Sequence, residues 1–224
     1  MDTVEYAPGR LADVFGEPTR PTVLIWHGMQ SDARTAVRPL AERVADHGLS
    51  VVAPDWDSHA DDSGRGDLLH SVHLAQQRGS PVDSLTLVGW SMGGLAAAGL
   101  TVHASHHDVR LRHTVCLAGA FVTTDPISSR EPAAGLANSG GHRSPFTLLH
   151  GIADDVVPAS ASRRFATDLE RHGWPVDLVE LDADHGSIAG ARYDRVADRY
   201  HAAEDPGTLD IAADVAARIA AVSG

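Results

Sequence analysis

The chain has 224 residues, 43 % of them hydrophobic, which is enough for one sizeable α/β domain with its own core, spanning residues 1–224. Its formal net charge is −12, and all 18 of its basic residues are arginine. So acidic a chain is a poor partner for nucleic acid and anionic membrane surfaces, which would repel it, and the absence of lysine excludes a Schiff-base lysine.

No apolar run reaches the roughly 18–20 residues of a membrane span. The start, Met1-Asp2-Thr3-Val4-Glu5, carries neither a basic segment nor an apolar core, so no signal peptide is predicted. The one cysteine, Cys116, cannot form an internal disulfide and sits in an apolar run like a buried strand residue. Together these features predict a cytoplasmic protein.

In chain order, Arg10–Phe15 is a candidate antiparallel edge strand. Short apolar runs then recur at 23–26, 51–53, 85–88, 114–117, 146–149 and 176–181. They are continuous rather than alternating, as strands covered on both faces of a parallel sheet are. Helical patterns lie between them. Leu40, Val44 and Ala45 form an apolar face behind Pro39, with Gly48 just past its end. Leu68, Leu69 and Val72 form another after Asp67. Residues 92–102 are small and apolar throughout. Phe165 and Leu169 mark a helix ending at Gly173, and Ile211, Val215, Ile219 and Val222 mark a last one behind Glu204-Asp205-Pro206-Gly207. This alternation predicts a mostly parallel, doubly wound sheet flanked by helices. The stretch 119–145 is rich in Gly, Pro and Ser. It predicts a loop or one short helix, no large cap domain and an open site.

The strongest chemical signal is Gly89-Trp90-Ser91-Met92-Gly93. It follows a predicted strand and precedes a predicted helix, the setting of a nucleophile elbow with Ser91 at its apex. A serine hydroxyl needs a base. In such folds the acid and then the histidine follow the serine along the chain. His185, in Asp182-Ala183-Asp184-His185-Gly186 after the last strand run, is the candidate base. The acid candidates follow the run 146–149, in His150-Gly151-Ile152-Ala153-Asp154-Asp155. Asp154 is preferred. Asp155 is then a solvated carboxylate or a cap for the helix near Pro158, and Asp125 is a third candidate. Two backbone N–H groups should form an oxyanion hole. One is on Met92, after the serine, and the other on Met29, in His27-Gly28-Met29-Gln30. His27 is read as a brace for that loop.

These motifs resemble the α/β-hydrolase superfamily, close to its serine carboxylesterase and dienelactone hydrolase-like branches, over residues 22–221. The lead-in Tyr6-Ala7-Pro8-Gly9-Arg10 also looks like the start of such esterases. Two features depart from the pattern. Many of these esterases carry further glycines where this chain has Met29 and Gln30, and dienelactone hydrolases use cysteine where it has Ser91. The resemblance implies a serine hydrolase of small carboxylic esters acting through an acyl-enzyme, with a small-molecule ester as its partner. Thioesterase, acyltransferase or amidase activity from the same residues remains open, as does a non-catalytic ligand-binding role and the oligomeric state.

Asp55-Trp56-Asp57-Ser58-His59 follows the second parallel run at the edge where ligands bind, so Trp56 is a tentative substrate-binding residue. Trp26 and Trp90 read equally as core or pocket. His103, His106 and His107 have helical spacing but no supporting carboxylate or cysteine, so no metal and no cofactor is expected.

Overall fold

The structure is a computed structural model that describes residues 1–78, 85–139 and 142–224. Eight strands form one sheet: β1 (Asp2–Ala7), β2 (Arg10–Phe15), β3 (Thr22–Trp26), β4 (Ser50–Pro54), β5 (Leu85–Trp90), β6 (His113–Leu117), β7 (Phe146–Gly151) and β8 (Val176–Leu181). Their order is β1-β2-β4-β3-β5-β6-β7-β8. The strands from β4 to β8 in that order run parallel, β2 pairs antiparallel with β4, and β1 pairs antiparallel with β2. β5 is central, with Gly89 opposite Trp26 on one side and Cys116 on the other. The loops after β3, β5, β6, β7 and β8 therefore leave from one edge.

The six apolar runs all become strands because each feeds two cores. Val23 and Ile25 of β3 face one cluster with α1 (Arg38–Asp46) and α5 (Pro206–Ser223), through Leu40, Val44, Val215 and Ile219. Leu24 and Trp26 face the other way, toward α2 (Arg65–Arg78) and α3 (Met92–Val102). Phe146 and Leu148 continue that second core against α4 (Ser160–Arg171). Each fully buried Leu, Val or Ile is worth about 1.5–3 kcal/mol of transfer free energy, so both faces favour the same sheet. β8 differs: Asp177 and Glu180 are exposed because it is the far edge strand.

Two elements depart from the sequence expectation. The segment Arg10–Phe15 is antiparallel as expected, but it is not an edge; β1 pairs outside it. Asp13 anchors this pair under α1. Its buried carboxylate accepts from Arg38 at 2.7 Å, Arg34 at 3.0 Å and Thr3 at 2.8 Å. Burial opposes its ionisation, but these donors outweigh it and hold the group below the usual carboxylate range. The second departure is a two-stranded hairpin, β9 (Ala191–Asp194) and β10 (Arg199–Ala202), between the loop after β8 and α5.

Within 119–145 the described residues form turns and one short 3-10 helix, Pro132–Asn138, packed against α3 and α4. Residues 140–141 of that stretch lie outside the described ones. Among the described residues no large cap covers the sheet edge, and no helix is long and apolar enough to cross a membrane.

Candidate active site

Ser91 stands alone between β5, which ends at Trp90, and α3, which begins at Met92. Its backbone has φ 56° and ψ −116°, a region a side chain rarely enters and one that costs of order 1–3 kcal/mol. The surrounding backbone holds it there. Ser91 N–H donates to the Leu117 carbonyl at 2.9 Å, and its carbonyl accepts from Leu95 and Ala120 N–H, each at 3.1 Å. The flanking glycines are forced by close approach. A Cβ on Gly89 would run into the Gly93 carbonyl, and one on Gly93 would sit 2.6 Å from the Trp26 carbonyl oxygen.

His185 and Asp154 come together from the loops after β8 and β7. His185 Nδ1 lies 2.8 Å from Asp154 Oδ2, and both side chains are buried. Asp154 Oδ1 accepts from the N–H groups of Val156 at 2.9 Å and Val157 at 2.8 Å, so both of its oxygens are engaged. His150 lies against the same carboxylate at 3.3 Å, with Nε2 also 2.9 Å from the Val157 carbonyl and Nδ1 2.8 Å from Ser162 Oγ. Burial of Asp154 opposes its ionisation. Bonds from His150, His185 and Val157 N–H prevail and keep it ionised far below the usual carboxylate range.

The histidine loop is fixed beside the elbow. Trp90, the residue before Ser91, donates its indole N–H to the His185 carbonyl at 2.7 Å. Asp184 Oδ1 accepts from Gly186 and Ser187 N–H at 2.9 and 2.7 Å. The other acid candidates lie elsewhere. Asp155 is exposed, and α4 begins behind Ala159 with no side-chain cap, so Asp155 is not its cap. Asp125 is buried in its own turn, accepting from Ile127 and Ser128 N–H at 2.8 Å each.

Met92 opens α3, where N–H groups have no intrahelical acceptor. The loop after β3 runs alongside: a Cβ on Gly28 would lie 3.3 Å from Ser91 Cβ. Gln30 N–H bonds back to the Gly28 carbonyl at 2.8 Å, which leaves Met29 at the apex of a tight turn. His27 sits beneath this turn, fully buried. Its Nδ1–H donates to the Gly28 carbonyl at 2.8 Å, and Nε2 accepts from Ala33 and Trp56 N–H at 3.3 and 3.2 Å.

Trp56 does not line a pocket. It is completely buried, stacked on His27 at 5.4 Å, with its indole N–H on the His27 carbonyl at 3.2 Å. The apolar core claims it because Leu68, Val72 and Trp26 close over it. Trp26 is core as well, its indole N–H held by Ser71. The neighbouring carboxylates are tied down: Asp55 pairs with Arg34, and Asp57 accepts from Ser31 at 2.5 Å. Among the exposed side chains on the loops at this edge are the apolar Met29, Val122, Ile152 and Val156, beside the exposed carboxylates of Asp155 and Asp184. A cavity of about 880 Å³ opens beside His185, lined by Val156, Tyr193, Arg195, Tyr200 and Thr208 among others. Its hairpin wall was not foreseen.

No protein-family model matches the sequence, and no curated protein matches it. Solved structures do. Thermogutta terrifontis esterase 2 phosphorylated by paraoxon aligns with a TM-score of 0.71 at 20 % identity, over 97 % of this chain and 94 % of that one. The butyrate-bound form of that esterase gives 0.68 at 19 % identity, with the same coverage. A Pyrobaculum calidifontis esterase gives 0.70 at 15 % identity, over 99 % of this chain and 85 % of that one. The chain has the α/β-hydrolase fold. In an α/β-hydrolase sheet the loops at the carboxyl edge carry the working side chains. Here those loops hold Ser91, Asp154, His185 and Met29.

Burial of His27 predicts an acid sensitivity for this fold. It lowers the imidazole pKa to about 4. The unfolded chain titrates near the ordinary value of about 6.5 and so binds more protons between those pH values. Stability therefore falls as pH drops from about 6.5 to 4, by on the order of 3 kcal/mol from this group. Burial shifts His113 in the same direction. Urea unfolding between pH 7.5 and 4.5 should show this slope, and His27→Asn should flatten it. An unchanged slope in the variant would place the effect elsewhere.

Proposed function

We propose that the chain is a serine esterase that cleaves small carboxylic esters through an acyl-enzyme. The observation that carries this reading is the strained Ser91 backbone at the strand-to-helix turn, held open beside the Asp154–His185 pair. Strain of this kind persists only where the surrounding structure enforces it, and it presents the hydroxyl at the sheet edge. Ser91 Oγ attacks the ester carbonyl as its proton passes to His185 Nε2. The Asp154 carboxylate holds Nδ1–H, fixes the tautomer and stabilises the imidazolium. The carbonyl oxygen gains negative charge and takes hydrogen bonds from the Met29 and Met92 N–H groups, each worth about 3–4 kcal/mol of barrier. The alcohol leaves with the proton from His185, and water then repeats the sequence on the acyl-serine. No metal or cofactor takes part in these steps. A cytoplasmic setting and a small-molecule ester partner belong to the same proposal.

The structural neighbours support this reading. One is an esterase phosphorylated by paraoxon, and the same enzyme is described bound to butyrate and to propionate. With no large cap among the described residues, the exposed side chains of Met29, Val122, Ile152 and Val156 offer a shallow apolar rim, and the cavity beside His185 is lined in part by the polar Asp155, Arg195 and Thr208. Each further buried methylene would add about 0.8 kcal/mol, but only where a wall exists to bury it. In a series of p-nitrophenyl esters, kcat/KM should be highest for short acyl groups and fall beyond about six to eight carbons, where such a rim ends. A steady rise through the long-chain members would contradict the open site, and absence of turnover on every member would overturn the esterase reading.

A further inference from the structure

We infer that Gln30 is a positioning residue that ties the oxyanion turn to the histidine loop through the backbone of Tyr200. The inference rests on the esterase reading above. The side-chain amide of Gln30 does what a neighbouring strand would do. Tyr200 N–H donates to Gln30 Oε1 at 2.7 Å, and Gln30 Nε2 donates to the Tyr200 carbonyl at 3.3 Å. Among the described residues β10 pairs with β9 on one side only, so its other edge has backbone groups in need of partners. The amide of Gln30 satisfies both groups of Tyr200 across 170 positions of sequence.

Each end of this clamp touches the proposed machinery. At one end the Gln30 N–H closes the turn that carries Met29. At the other the Tyr200 ring stands edge-on to Trp90 at 4.9 Å and lies 6.0 Å from His185. The same ring fills the space beside Gly186, where a Cβ would come within 3.0 Å of its Cε1 atom. Trp90 in turn holds the His185 carbonyl. One rigid path thus runs from the oxyanion donor, through Gln30 and Tyr200, to the base. β10 is also pressed onto this region by its packing against residues 34–37, and the Arg199 charge opposes protonation of His27. The hairpin is therefore seated on the oxyanion loop and does not hang free from α5. A donor displaced by a fraction of an ångström stabilises the transition state less while leaving ground-state binding nearly intact.

The test uses the full chain with p-nitrophenyl butyrate, with kcat expressed per active site titrated by a fluorophosphonate. Gln30→Ala should lower kcat per active site about tenfold, with KM changed less than about twofold. Gln30→Glu keeps the acceptor for the shorter bond from Tyr200 N–H and should recover part of the loss. Should the alanine variant fail to fold, the glutamate variant carries the comparison alone. Tyr200→Ala should also lower kcat, and the double variant with Gln30→Ala should be no slower than the slower single variant, because both act through one seat. Wild-type kcat per site in Gln30→Ala, a loss confined to the titrated fraction and the melting temperature, or strictly additive losses would overturn the inference. A wild-type protein that neither turns over ester nor takes the label would overturn the esterase reading itself.

Discussion

Replacing Ser91 with alanine is expected to abolish ester turnover while the melting temperature stays within a few degrees of wild type. Removal of the nucleophile alone costs about 10⁶ in kcat in a comparable triad. The fold should survive because the turn is held by backbone bonds to Leu117, Leu95 and Ala120, not by the hydroxyl. Alanine is no more strained at φ 56° than serine. The two measurements are steady-state hydrolysis of p-nitrophenyl butyrate and thermal unfolding by circular dichroism. Turnover near wild type in a folded variant would remove Ser91 from the mechanism.

Asp154→Asn is expected to lower kcat by about 10⁴, while Asp155→Asn changes it little. The local bonding makes the reason specific. Oδ1 of residue 154 must accept from two backbone N–H groups, so the amide oxygen of an asparagine is held there. Its NH2 group then faces His185 Nδ1, which must become the acceptor. The proton moves to Nε2, and the histidine can no longer take one from Ser91. The NH2 group would also confront His150 Nε2 at the 3.3 Å contact. Melting temperature and kcat measured together separate the two effects. A larger loss in Asp155→Asn would transfer the acid role to the exposed neighbour.

The central sheet was legible because its strands are buried on both faces and leave continuous apolar runs, as in 23–26 and 85–88. The outer elements were not. β1, Asp-Thr-Val-Glu-Tyr-Ala, is half-exposed and mixed in character, so it carries no run. β9 and β10 are four residues each, β9 largely exposed and β10 mostly half-buried, with the sequences Ala-Arg-Tyr-Asp and Arg-Tyr-His-Ala. Nothing in their pattern sets them apart from a polar loop, yet they wall the cavity beside His185. The tight turn at Ser91 and the place of His185 on the loop after the last parallel strand followed from motif and position in the chain. The sequence already favours Asp154 over Asp155, and the structure adds the 2.8 Å contact between its Oδ2 and His185 Nδ1. Trp56 misled for the opposite reason. Its position at the carboxyl edge suggested a ligand contact, but a large aromatic next to His27 is worth more to the core than to a pocket. Gln30 carries no signal in the sequence, because its two bonds reach Tyr200 170 positions away.

The most direct test of the account is covalent labelling of the native protein with a fluorophosphonate, followed by peptide mass spectrometry. Only a serine activated by a base and an oxyanion hole reacts with such a reagent at neutral pH. The account predicts one adduct, on the peptide that contains Ser91, absent from Ser91→Ala and formed much more slowly in Asp154→Asn. No adduct on the native protein, or an adduct that persists in Ser91→Ala, would contradict it.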